Sequence, residues 1–71
     1  MERKDVDSSN LRSVGYDKQK HILEIEFNNG GVYHYFEVPF DIYEGLIGAE
    51  SKGKYFWKNI RREFEYERVG D

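Results

Sequence analysis

The sequence predicts an α+β domain: a three-stranded antiparallel β-meander followed by two α-helices packed on one face of the sheet. Three observations lead there. Residues 21–27 alternate apolar and polar side chains, and Asn28-Asn29-Gly30-Gly31 then separates two strand-like runs. After Pro39, the sole proline, the apolar spacing changes from two residues to three and four. A chain of 71 residues has room for one domain, 1–71, with its ordered part expected at about residues 6–69.

Taken in order, Met1 to Asp5 is charged and offers nothing to bury, so no regular element is expected there. Val6-Asp7 reads as an irregular lead-in. Residues 11–16 form a first strand with Val14 and Tyr16 on one face, and Asp17-Lys18-Gln19-Lys20 makes a polar hairpin loop. His21 to Phe27 is the clearest strand. Leu23, Ile25 and Phe27 share one face while Ile22, Glu24 and Glu26 share the other, the pattern of a sheet with one buried side and one wet side. Asn-Gly supplies the positive-φ residues of a tight turn.

The third strand, Val32 to Glu37, is apolar on both faces: Tyr33 and Tyr35 on one, Val32, His34 and Phe36 on the other. Pro39 ends it, and proline suits the first turn of the helix that follows. From Phe40 to Glu50, Ile42, Tyr43, Leu46, Ile47 and Ala49 recur at helical spacing, with Asp41 and Glu44 early, where the helix dipole favours negative charge. Gly45 and Gly48 each weaken that helix by about 1 kcal/mol relative to Ala and are expected to permit close approach to the sheet. Ser51-Lys52-Gly53 is read as a break. A second helix is expected from about Lys54 to Phe64, docking Phe56, Ile60 and Phe64. From Tyr66 the alternation of acidic and apolar residues fits a short fourth strand or a frayed helical end, the non-helical reading being preferred. The core is expected to hold Leu23, Ile25, Phe27, Ile42, Leu46, Phe56 and Ile60, with at least one of Tyr33 and Tyr35.

Composition excludes several functions. Without cysteine there is neither a disulfide nor a Cys-based zinc site. No apolar run approaches the ~20 residues of a bilayer span, and the charged N-terminus lacks a signal-peptide core, so a cytoplasmic protein without a membrane partner is expected. No nucleophile with an adjacent base, no phosphate-cradling glycine loop and no ligand spacing around His21 and His34 points to catalysis, a metal, a cofactor or a small-molecule substrate. A non-enzymatic binding module is therefore expected.

The ordered series Val14-Gly15-Tyr16-Asp17, Leu23 to Phe27, Gly31-Val32-Tyr33-His34-Tyr35, Val38-Pro39, Ile42-Tyr43, Leu46, Ser51-Lys52-Gly53-Lys54-Tyr55-Phe56 and Ile60-Arg61 resembles the KTSC domain, a family of about this length with a central Tyr-x-Tyr motif. The resemblance runs from about Val6 to Val69. Trp57 stands where family members often carry Asn. The family occurs alone in bacteria and at the C-terminus of some lysyl-tRNA synthetases, and that association implies RNA or tRNA as a partner.

Charge distribution fits the implication. The net charge is −3, yet residues 51–62 carry Lys52, Lys54, Lys58, Arg61 and Arg62 and no acidic residue. Tyr33 and Tyr35 could stack bases while these cations meet phosphates. The same tyrosines could equally be core residues, and the pattern leaves both readings open. The alternative is a protein-protein interaction or homodimerisation module using Tyr55, Trp57, Tyr66 and an exposed edge strand.

Overall fold

The computed structural model describes residues 1–70 and consists of β1 (Arg3–Asp5), β2 (Leu11–Asp17), β3 (Ile22–Phe27), β4 (Val32–Tyr35), α1 (Phe40–Gly48), α2 (Lys52–Asn59) and β5 (Tyr66–Gly70). All neighbouring strands are antiparallel, in a five-stranded sheet whose order follows the chain. The three expected strands are β2 to β4; the sheet also has an edge strand on each side.

Both additions correct the sequence reading for one reason. β1 is Arg3-Lys4-Asp5 and exposed at each position, and β5 is exposed at every position but its last. β1 carries no apolar alternation at all, and β5 buries neither face of the one read from Tyr66, which leaves a fourth strand and a frayed helical end both open; charged side chains on an edge instead discourage pairing with further chains. The segment before Val6 thus has a partner after all, with Lys4 opposite Val14. The residues after Phe64 resolve to strand, Tyr35 lying opposite Tyr66.

Register decides which side chains share a face. Leu23 lies opposite Tyr35 and Ile25 opposite Tyr33, while Val14 and Tyr16 on β2 oppose Ile25 and Leu23. All of these point to the side on which the helices dock. Leu11, Val14, Leu23, Ile25, Tyr35, Val38, Leu46, Phe56 and Ile60 form the buried core. Phe27 and Ile42, expected within it, are only partly buried against it. Leu11, Val14 and Val38 were not expected there. Val38 is placed by the chain reversal after β4: Glu37 takes a positive φ of 55°, and the Val38 N–H donates to the His21 carbonyl at 2.9 Å. The Tyr16 hydroxyl donates in turn to the Val38 carbonyl.

The other sheet face is polar and partly wet. Glu24 sits 3.6 Å from His34 Nε2 and 3.7 Å from Arg3 Nη1, and Ser13 Oγ donates to Glu26 at 2.8 Å. His34 is an ordinary strand histidine there, and His21 lies in the β2–β3 turn with a φ of 56°. Among the described residues no three His, Asp or Glu side chains converge on a possible metal position. No described helix is long and apolar enough to cross a membrane.

Pro39 caps α1 from an extended conformation, as its fixed φ favours. Ser51 is the cap of α2 rather than part of a break: its Oγ accepts the Lys54 N–H at 3.3 Å, so the helix begins at Lys52. The helix ends at Asn59, short of the expected Phe64. Ile60 leaves helical geometry while its N–H still bonds Phe56, and turns carry the chain to β5. Gly45 serves a purpose other than the one expected. A Cβ there would run into the Tyr55 ring, 2.6 Å from Cζ, so this glycine lets α2, not the sheet, approach α1. Gly48 faces open space.

Candidate functional site: an aromatic cleft

The helices cover β2, β3 and part of β4, and then stop. Because α2 ends at Asn59 and the chain must still return to the far edge of the sheet, the tyrosines of β4 and β5 are left beside the segment that follows α2. The result is a cleft of about 620 Å³ lined by Phe27, Asn29, Tyr33, Tyr35, Phe56, Arg61, Arg62, Phe64 and Tyr66. That volume lies within the roughly 300–1,000 Å³ of small-ligand sites.

Its floor is a packed aromatic cluster. Tyr35 meets Phe56 edge-on with centroids 5.6 Å apart, Phe27 meets Phe56 at 5.3 Å, and Phe27 meets Tyr33 at 5.5 Å. These are the edge-to-face arrangements that the aromatic quadrupole favours. Tyr66, opposite Tyr35 across the β4–β5 ladder, lies 5.5 Å from Tyr35 and 5.9 Å from Tyr33. It is 59% exposed. Tyr35 is only 4% exposed. Burial, followed by the neighbouring Tyr33 and Tyr66, pushes its hydroxyl up to about 12, with Arg61 pulling the other way. It is therefore a neutral hydroxyl throughout the physiological range.

Arg61 is the central cation. Its guanidinium lies 3.7 Å from the centroid of the Trp57 ring, a close cation–π stack that holds the side chain across the surface. On the far side of Arg61 is a second depression of about 430 Å³, lined by Ser9, Asn10, Phe27, Asn28, Asn29, Phe56, Trp57 and Arg61. Trp57 is 56% exposed. The two depressions adjoin one another across the side chains they share, Phe27, Asn29, Phe56 and Arg61. Arg68, opposite Tyr33 on β5, holds its guanidinium 5.9 Å from that ring.

Of the candidate site residues, the fold gathers Tyr33, Tyr35, Arg61, Arg62 and Tyr66 around the cleft, with Trp57 beside it. Tyr33 and Tyr35 share a face, as their parity requires, but Tyr35 belongs to the core and Tyr33 is half-buried. They form the wall and floor of a cleft rather than an open stacking platform. Lys52, Lys54 and Lys58 line neither depression. The Lys52 ammonium donates to the Ala49 carbonyl at 3.0 Å, and Lys54 and Lys58 point into solvent from α2. Tyr55 packs between the helices against Gly45. Phe27, Asn29, Phe56 and Phe64 were missed as site residues. The signal for Asn29 was its place in the turn after β3, which faces the segment following α2, but that proximity is tertiary.

Fold and site together define a small α+β domain with an aromatic, arginine-flanked groove on its helix-bearing face. Comparison with known proteins identifies the family: the KTSC domain matches residues 7–64, and the chain belongs to that family. A KTSC domain protein from Yersinia pestis superposes with a TM-score of 0.95 at 36% identity, covering 97% of each chain. An uncharacterized protein of Stutzerimonas stutzeri is 45% identical over 56 residues, 79% of either chain. A lysine–tRNA ligase of Nostoc is 38% identical over 63 residues, which is 89% of this chain but 11% of the ligase.

Proposed function

We propose that this domain binds single-stranded RNA in the groove. An unpaired base enters the larger depression against the exposed face of Tyr66 and the edge of Tyr33. The neighbouring base lies over the Trp57 side, and Arg61, between the two depressions, meets the connecting phosphate. The observation that carries the reading is the composition of the cleft. On a protein of net charge −3, its lining has six aromatic rings, two arginines and no carboxylate. Stacking rings beside cations are what single strands require. The likeness to part of a lysine–tRNA ligase supports an RNA-related setting.

The test is a titration of labelled hexanucleotides at low and moderate salt. Replacing Tyr66 by Ala removes one stacking surface, worth about 1–3 kcal/mol per base. Replacing Arg61 and Arg62 by Glu abolishes binding without unfolding the chain, since both side chains are exposed. Absence of binding at low salt, or indifference to both changes, refutes the proposal. The exposed edge β5 favours one other reading, strand pairing with a second copy or a protein partner. That reading predicts a sedimentation coefficient that rises with concentration, and a monomer at all concentrations argues against it.

A further inference from the structure

Resting on the RNA-binding reading, we infer that the bound strand does not stop at the two depressions. Its backbone runs on along the exposed face of α2, where Lys54 and Lys58 each meet a phosphate, so the domain takes a segment of about four nucleotides or more. α2 buries Gly53 and Phe56, and the chain after it buries Ile60. With 3.6 residues per turn, Trp57, Arg61, Lys54 and Lys58 fall in that angular order on the outward side, within a stripe about 100° wide. All four are exposed. Arg61 lies past the last helical residue, yet its guanidinium sits 3.7 Å from the Trp57 ring centroid, so the stripe continues into the turn. The smaller depression flanks the same length of helix. Asn10, on its wall, has Nδ2 2.9 Å from where a Cβ on Gly53 would stand, in the first turn of α2, and Arg61 bounds the depression beyond the last turn. The two lysines stand outside the lining, where the backbone of a strand with inward-pointing bases would pass.

Charge supplies the second observation. α1 follows the helix dipole with Asp41 in its first turn, whereas α2 has no acidic residue there and carries Lys52 and Lys54. Lys52 is accounted for, because its ammonium donates to the Ala49 carbonyl at the end of α1. Lys54 is not. Among the described residues neither Lys54 nor Lys58 forms an ion pair, on a chain with 14 Asp and Glu residues. The Lys54 charge therefore opposes the start of α2 in the free protein, and a phosphate seated on it removes the conflict. A local rule broken without internal compensation is expected at functional positions. The cations then follow one path: Arg62 beside the larger depression, Arg61 between the two, and Lys54 and Lys58 past the second base.

The experiment titrates oligouridylates of two and six nucleotides against the full chain at several salt concentrations, followed by the fluorescence of Trp57, the sole tryptophan. In the parent protein the salt slope of the affinity is expected to be steeper for the hexamer than for the dimer by about 1.4, two added phosphate contacts at about 0.7 each. Lys54→Gln with Lys58→Gln is expected to lower the hexamer slope by that amount and so remove the dependence on length. Lys18→Gln with Lys20→Gln makes the same change of net charge at exposed positions between β2 and β3, away from both depressions, and is expected to leave the hexamer slope as in the parent. A hexamer slope that the α2 pair does not lower, or that the control pair lowers as much, overturns the extended path while leaving the two bases in their depressions. Failure of both oligomers to bind at low salt overturns the extended path and the RNA-binding reading together.

Discussion

Replacing Gly45 by Ala sets a local preference against a tertiary contact, and the structure says which prevails. In an isolated helix the change is favourable by about 1 kcal/mol. In this protein the new methyl would overlap the Tyr55 hydroxyl oxygen and stand 2.6 Å from Cζ and 2.9 Å from Cε2. Optimal carbon contacts lie at roughly 3.5–4.0 Å, so half the ring must move away. Tyr55 is half-buried between the helices and cannot swing out without uncovering the α1–α2 contact. Overpacking of this kind costs typically about 1–3 kcal/mol, and subtracting the propensity gain leaves a net loss of up to roughly 2 kcal/mol. Domains of this size have on the order of 4–10 kcal/mol in total, so the shift in a urea denaturation midpoint is easily read. The same substitution in a Tyr55→Leu background should become neutral or stabilising by up to about 1 kcal/mol, giving a coupling between the two sites of about 1–3 kcal/mol. A Gly45→Ala protein as stable as its parent, with effects that simply add in the double mutant, would show that Tyr55 does not dictate the glycine.

Three further outcomes are expected. Ile60→Ala removes a fully buried side chain at the end of α2 and should cost about 2–5 kcal/mol, measured by urea unfolding, whereas Ile60→Val should cost about 0.5–1.5 kcal/mol. The part of the stability owed to Tyr35 should be constant below pH 10 and fall as the pH rises from about 10 to about 12. The unfolded chain gives up the Tyr35 proton at the ordinary phenol value while the folded chain keeps it, so alkali favours unfolding. Tyr35→Phe should flatten part of that decline, and an unchanged alkaline profile counts against the assignment. For RNA binding, Arg61→Ala should lower the salt slope by about 0.7, the value of one phosphate left unneutralised on a single strand, read from affinities at several salt concentrations.

How much of this could be read from the sequence depended on where each residue's partners lie. Leu23, Ile25 and the Asn28–Gly31 turn declared β3 and its hairpin because their signals are local: alternation and turn chemistry need only near neighbours. Arg3 to Asp5 gave no such signal and Tyr66 to Gly70 an ambiguous one, an alternation that fitted either a fourth strand or a frayed helical end, since edge strands make backbone pairs without burying a face. Gly45 and Ser51 were legible as special residues, but their roles were not. One depends on Tyr55 of the next helix, and the other on where a helix starts rather than stops. The parity of Tyr33 and Tyr35 was readable, yet their burial depends on how far across the sheet α2 extends. The cleft joins β3, β4, β5 and the turns after α2, residues far apart in the chain, and no spacing rule links Asn29 to Arg61.

The β4–β5 pairing has a kinetic consequence. Strands β1 to β4 meet through short connections, whereas β5 can pair only after both helices have been threaded between it and β4. Loop-closure entropy delays such a contact, and an exposed five-residue edge strand belongs to the region that opens first in the native state. Tyr66 travels with that strand. The groove should therefore be the final part of the domain to assemble and the first to come apart. A ligand that stacks on Tyr66 would slow amide hydrogen exchange along β5 selectively, leaving the protection of β2 and β3 unchanged.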